Sequence, residues 1–200
     1  NIIDDIVEYE IFSEDREKIS SFEDFMDGIV VVNLKQLGQD DSTKNLIVII
    51  LLNFFYEYML KIEKKRFIEA SKEGPTLRFI HSMLLVDEAD NIMKYEFDVL
   101  RKVLLQGREF GVGVILSSQY FSHFKVNKYN DYREPLNTWF IHKVPSIGVS
   151  GLNDIGLSNA DNEMLNKIRD LQPHECLYKT FDVPGEFIRG IPFYEYLRSN

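Results

Sequence analysis

A single cysteine, Cys176, stands among 200 residues, so no internal disulfide can form, and no signal-peptide pattern follows Asn1. A reducing, cytoplasmic setting is the natural expectation, with Cys176 as an inert core residue. The four histidines, His81, His123, His142 and His174, are scattered, and no pair of them stands at metal-ligand spacing with Cys176 or a carboxylate, which argues against a zinc site. Ser117 and Ser118 lack the Gly-x-Ser-x-Gly elbow of a nucleophilic serine. No apolar run reaches the roughly 20 residues that span a bilayer. The most apolar stretch, residues 46–60, is interrupted by Asn53 and Glu57 and is expected to be a buried helix, with no membrane partner. Cationic excess is missing too. A formal charge of −9 argues against this piece gripping nucleic acid by itself, without excluding contacts made elsewhere. Internal repeats and low-complexity segments are absent as well.

What is present is a chain 44% hydrophobic and 13% aromatic, enough for one well-buried domain over residues 1–200. Residues 1–27 are acidic, loosely periodic and poorly defined. Gly28 then opens a β-branched run, residues 29–32, expected to be a fully buried strand ending at Asn33. Gln39, Asp40, Asp41, Ser42 and Thr43 form a polar, helix-capping turn, and residues 44 to about 67 read as a long helix. Its basic end, Lys61, Lys64, Lys65 and Arg66, complements the macrodipole. Glu73, Gly74 and Pro75 break the chain before its central unit.

That unit is residues 83–119. Four apolar residues, Met83 to Val86, run into Asp87 and Glu88 as a buried parallel strand delivers charges to its carboxyl end. Leu100, Val103 and Leu104 follow at helical spacing, and Gly107, Gly111 and Gly113 punctuate the chain. A second apolar strand, residues 112–116, ends in Ser117, Ser118 and Gln119. A right-handed crossover would bring both strand ends to one sheet edge, where open α/β sheets bind ligands. Beyond it lie an irregular connection (120–135), a strand (138–144) and a turn around residues 153–156. A helix through Met164, Leu165, Ile168 and Leu171 follows, terminated by Pro173. Residues 175–181 and 187–191 flank Pro184-Gly185 as an antiparallel hairpin at the sheet edge. The expected class is α/β, a mostly parallel sheet flanked by helices.

An acidic pair after an apolar strand has a specific use in phosphoryl transfer, where one carboxylate holds Mg²⁺ and the next polarises the attacking water. An ordinary solvated strand end looks the same. Gln119, at the end of the neighbouring strand, adds an amide able to hydrogen-bond both a γ-phosphate oxygen and the lytic water; otherwise it is a turn cap. Arg108, between Gly107 and Glu109, lies where a helix is ending. Its guanidinium could point out of the subunit and stabilise charge on a neighbour's γ-phosphate, or could cap its own helix and pair with Glu109.

The residues Leu84-Leu85-Val86-Asp87-Glu88-Ala89, then Gln106-Gly107-Arg108-Glu109-Phe110-Gly111-Val112-Gly113 and Leu116-Ser117-Ser118-Gln119 resemble the HerA/FtsK group of P-loop ATPases, hexameric DNA translocases and their relatives. Within that group, Ser118-Gln119-Tyr120-Phe121-Ser122-His123-Phe124 and Phe187-Ile188-Arg189-Gly190-Ile191-Pro192-Phe193 resemble the ATPase of phosphorothioation-dependent DNA restriction systems. The resemblance implies a RecA-like core and a homo-oligomeric ring acting on DNA with ATP and Mg²⁺, alongside a nuclease or restriction partner. By position it makes Asp87 the Walker B magnesium ligand, Glu88 the catalytic base, Gln119 the sensor and Arg108 a candidate finger acting in trans. One departure is large. No Gly-x-x-x-x-Gly-Lys-Ser/Thr occurs, and no Gly precedes a Lys, so the phosphate-cradling Walker A loop is not in this sequence. That loop precedes the Walker B strand in the family, so the resemblance implies the C-terminal half of an ATPase core, itself inactive. Two other readings stand beside it. One is a nucleotide-fold scaffold or oligomerisation module; the other is a two-lobed helicase of the DExD type, which Asp90 fits but Gly107-Arg108 and Gln119 fit less well.

Overall fold

The computed structural model describes residues 7, 15, 17, 20–37, 41–63, 80–95, 97–128, 130–144, 146–181 and 184–199. The expected break at Glu73, Gly74 and Pro75, the basic residues Lys64, Lys65 and Arg66, and Gln39 and Asp40 of the polar turn lie outside them. The chain is mixed α/β and divides into two compact units, residues 1–85 with 97–115 and residues 86–96 with 116–200.

In the first unit a short helix, α1 (Phe22–Phe25), is started by a capping box in which Ser21 Oγ accepts from the Asp24 amide at 3.1 Å and the Asp24 carboxylate accepts from the Ser21 amide. The long helix α2 (Asp41–Lys61) buries Thr43, Ile47, Val48, Leu52, Phe55 and Met59, at spacings that keep them on one side. By length and composition α2 could cross a membrane, but its buried side packs on the amphipathic helix α4 (Asp98–Gln106), as a core helix does. Tyr56 of α2 donates its hydroxyl to Gln106 Oε1 at 2.9 Å.

Two strands, β1 (Ser82–Val86) and β2 (Val112–Leu116), pair in parallel: the His81 amide donates to the Gly111 carbonyl and the Ser117 amide to the Val86 carbonyl, so partners advance together. Leu84, Val112 and Val114 turn to the core of Phe55, Met59, Val103 and Phe110. Two expectations fail here. Strand β1 is not buried on both faces, because Met83 is 49% and Leu85 67% exposed; only one face of this two-stranded sheet is covered among the described residues. Residues 29–32 are not a buried strand. Ile29 is 96% and Val31 83% exposed, since β-branched residues favour extended backbone but no described neighbour supplies a ladder for them. A 3₁₀ turn, Leu34–Leu37, follows, opened by Asn33 Oδ1 accepting from the Lys35 amide.

The second unit carries a one-turn helix, α3 (Asp90–Met93), and a three-stranded antiparallel sheet in the order β3 (Trp139–Ile141), β4 (Glu175–Lys179), β5 (Glu186–Arg189). The expected hairpin forms, but with β3 it makes a sheet of its own rather than the edge of the parallel one. Gly185, at φ +97°, turns it, and a Cβ there would come within 2.7 Å of Leu157 Cδ2. Cys176 and Leu177 are buried on β4, and burial pushes the Cys176 thiol up, which disfavours its thiolate. Lys179, also buried, caps the strand by donating its ammonium to the Thr180 carbonyl. Helices α5 (Val149–Asp154), α6 (Asn162–Asp170) and α7 (Phe193–Ser199) complete the unit. Asp161 caps α6 by accepting from the Met164 amide at 2.8 Å. The turn expected around residues 153–156 forms at the end of α5: Asn153 and Asp154 close the helix, and the Gly156 amide donates to the Asn153 carbonyl at 2.9 Å with Gly156 at φ +85°.

The connection after Gln119 is ordered by packing and by one ion cluster. A 3₁₀ turn, Phe121–Phe124, sets both phenylalanine rings against Trp139, at 5.6 and 5.2 Å between centroids. Arg133 holds Asp131 with two parallel bonds of 2.8 and 2.5 Å and Asp154 with a third of 2.6 Å, its side chain only 9% exposed. The Arg133 side-chain hydrogen bond is the main reason the Asp131 carboxyl sits below the usual carboxylate range; burial opposes it. A depressed folded value means stability present above the unfolded value of about 4 and lost as pH falls through the folded one. Asp131→Asn is expected to cost about 1.5–3 kcal/mol in urea unfolding at neutral pH. The gap between variant and parent should close below pH 4; a gap unchanged across that range would contradict the pairing.

Candidate functional site

The site grows from the place where the parallel ladder runs out. The Ser117 amide donates to the Val86 carbonyl at 3.0 Å, and the Ala89 amide then reaches back to the Ser117 carbonyl at 2.8 Å. Between those bonds Asp87 and Glu88 are pushed out of the strand into a turn. Glu88 takes a left-handed backbone, φ +48°, one of only two non-glycine residues to do so among the described residues. Such a conformation costs a residue with a Cβ about 1–2 kcal/mol and persists where surrounding bonds impose it.

Those bonds can be named. Ser117 Oγ donates to Asp87 Oδ1 in a short hydrogen bond, the same oxygen accepts from the Glu88 amide at 3.1 Å, and the Glu88 amide lies 3.4 Å from Ser117 Oγ. Asp87 is thereby oriented by its own turn and by the next strand, with its second oxygen making no hydrogen bond among the described residues. Val86 and Ala89 are buried on either side of the pair, while Asp87, Glu88 and Gln119 are exposed to solvent. The structure thus brings Asp87, Glu88 and the Ser117-Ser118-Gln119 strand end together in one unit.

Arg108 belongs to the other unit. It is exposed in a 3₁₀ turn, Gly107–Phe110, that Gly111 closes at φ +72°. Gly107 is buried, and a Cβ there would approach Val112 Cβ to 3.2 Å, so the glycine lets the end of α4 pass close to β2.

Ser117 was missed as anything more than the end of a strand, and Asp90, Ser118 and His123, which converge beside it, were not singled out together. Ser118 Oγ is 2.9 Å from His123 Nδ1 and 3.3 Å from Asp90 Oδ1. Ser117 and Asp87 are thirty positions apart, and only the strand pairing makes them neighbours, so no local spacing could have announced the bond. Among the described residues no group of three or more His, Cys, Asp and Glu side chains is gathered to hold a metal by itself. A single carboxylate oriented by a hydroxyl, as Asp87 is by Ser117, is the kind of group that could hold a hard cation otherwise ligated by water and a substrate's phosphates.

A scan against protein-family models finds no match for this chain, and a search of curated proteins finds none either.

Strain at Glu88 has a measurable consequence. Glu88→Gly removes the Cβ penalty and retains the amide bonds, so it is expected to raise unfolding stability by up to about 1 kcal/mol. A loss of stability in equilibrium denaturation would mean that the Glu88 side chain, rather than the turn's backbone bonds, holds the conformation.

Proposed function

We propose that the chain is the water-activating half of a RecA-like ATPase of the HerA/FtsK kind. It would be part of a cytoplasmic, homo-oligomeric ring that couples ATP hydrolysis to translocation or remodelling of duplex DNA, alongside a nuclease or restriction partner in DNA restriction. The observation that carries this reading is the turn after β1. There an Asp87 carboxylate is locked by the neighbouring strand's Ser117 hydroxyl, and the next residue, Glu88, is held in a strained backbone with its carboxylate in solvent.

In this reading Asp87 would hold Mg²⁺, directly or through water, with Ser117 fixing the orientation of its carboxylate. A cation held there would supply charge neutralisation for the nucleotide's phosphates. Glu88 takes the proton of the attacking water, and a carboxylate with no hydrogen-bond partner among the described residues is available to do so. Gln119, two residues past Ser117 on the adjoining strand end, orients that water through its amide. Arg108 is assigned to a neighbouring subunit's γ-phosphate. Phosphate binding by a Walker A loop has no counterpart in these 200 residues, so the nucleotide's phosphates must be held by residues outside them. That same lack is compatible with the second reading, a non-catalytic scaffold or oligomerisation module.

Glu88→Gln in the full-length protein separates the two readings. It keeps the shape of the side chain and removes its basicity, so ATP turnover should fall by about 10²-fold or more while ATP binding persists. Hydrolysis at the parent rate would rule out the assigned base. For Arg108, the expected outcome is that Arg108→Ala is inactive alone and regains turnover when mixed with Glu88→Gln subunits, each supplying what the other lacks. Mixed rings as inactive as either variant would return Arg108 to a helix-end role.

A further inference from the structure

Beyond the last ladder bond, three partly buried polar side chains converge within the second unit. Asp90 opens α3, Ser118 directly precedes Gln119, and His123 lies in the 3₁₀ turn Phe121–Phe124, which packs against α3. Ser118 Oγ stands between the other two, 2.9 Å from His123 Nδ1 and donating to Asp90 Oδ1 at 3.3 Å. His123 Nδ1 is also 3.6 Å from Asp90 Oδ2, and the Tyr120 ring stands edge-on to the imidazole with centroids 5.1 Å apart. The Asp90 and His123 side chains are 28% and 34% exposed, so leaving a polar atom there unpaired is costly.

Proton counting fixes how the cluster works. Ser118 has one hydroxyl proton. With the hydroxyl donating that proton to Asp90, the seryl oxygen accepts from an Nδ1–H of His123, and a single chain from imidazole to hydroxyl to carboxylate is satisfied throughout. If Nδ1 carried no proton, the hydroxyl would have to serve either the ring or the carboxylate and leave the other without it. The geometry therefore selects an imidazole protonated at Nδ1. It also excludes a nucleophilic serine, because Ser118 and Asp90 meet the same ring nitrogen, whereas a catalytic triad places them on opposite ones.

We propose that Asp90, Ser118 and His123 form a side-chain latch that ties the loop carrying Gln119 to the loop carrying Asp87 and Glu88, and so sets where the Gln119 amide sits. These are positioning residues, and their effect on turnover rests on the ATPase reading above. The backbone ladder joins the two loops only as far as Ala89 and Ser117. Asp90 and Ser118 come one residue later on each side, so the latch continues the seam by side chains where backbone bonds stop, with Gln119 next in line. A displacement of the order of 1 Å in such a group can cost about 10²-fold in rate.

The test uses the full-length protein with His123→Ala and His123→Asn, Asn being able to place an amide N–H near the position of Nδ1–H. Amide hydrogen exchange over residues 119–124 should speed up about fivefold or more in His123→Ala, with residues 82–86 unchanged, and return towards the parent rate in His123→Asn. ATP turnover should show kcat lowered about tenfold in His123→Ala with KM for ATP unaltered, and partial recovery in His123→Asn. Exchange at the parent rate in His123→Ala would overturn the latch, and so would equal acceleration in both variants, which would mark ring packing rather than hydrogen bonding. Faster exchange with an unaltered kcat would overturn the positioning role. A parent protein without Glu88-dependent hydrolysis would instead overturn the ATPase reading and the positioning role with it, while exchange would still decide the latch.

Discussion

The arrangement of Asp87, Glu88 and Gln119 depends on one seam, the run of bonds that continues from β1 and β2 past their last strand residues. Two backbone bonds, Ser117 to Val86 and Ala89 to Ser117, prevent Asp87 and Glu88 from continuing as a strand or relaxing into a loop. The Ser117 hydroxyl then captures the Asp87 carboxylate. Charged side chains at a strand end are ordinarily mobile and solvated; here one is held by a neighbouring strand and the next is held in a left-handed backbone. Orientation of that kind is what preorganised catalysis requires, because the cost of placing the groups is met during folding rather than during reaction.

Each unit is held by its own packing. In the first, Phe55 and Met59 of α2, Val103 of α4 and Phe110 of the 3₁₀ turn after it pack against Leu84, Val112 and Val114 of the two strands, so the ladder rests on a packed core. Burying side chains of this size stabilises by about 1.5–3 kcal/mol each. In the second, the Phe121 and Phe124 rings on Trp139, together with Arg133 on Asp131 and Asp154, immobilise the segment after Gln119 that would otherwise be a long free loop. A site whose donors lie on a rigid strand end and a stapled loop has little freedom to rearrange.

Legibility in the sequence followed the range of the interactions. Strands β1 and β2, helices α4 and α6 and the hairpin were readable because their signals are local: apolar runs, helical spacing, and Pro184-Gly185. The candidate pair Asp87-Glu88 and the terminal Gln119 were readable because strand ends announce themselves by a switch from apolar to polar. Residues 29–32 show the limit of that method, since β-branched composition describes a backbone preference and says nothing about whether a partner strand is present. Equally hidden were the bonds of Ser117 to Asp87 and of Ser118 to Asp90, which join residues 30 and 28 positions apart, and the clamp of Arg133 on Asp154, 21 positions away. Pairings of this range come into being only when the strands and turns are assembled.

The role proposed for Asp87 is that of the metal-holding carboxylate of an ATP site. The most direct measurement is ATP hydrolysis by full-length Asp87→Cys in different divalent cations, since a thiolate ligates Mg²⁺ poorly and softer ions well. Hydrolysis should be lost in Mg²⁺ and recovered in Mn²⁺ or Cd²⁺, with no such recovery in Asp87→Ala. Hydrolysis retained in Mg²⁺, or the same response to the ions in both variants, would contradict it.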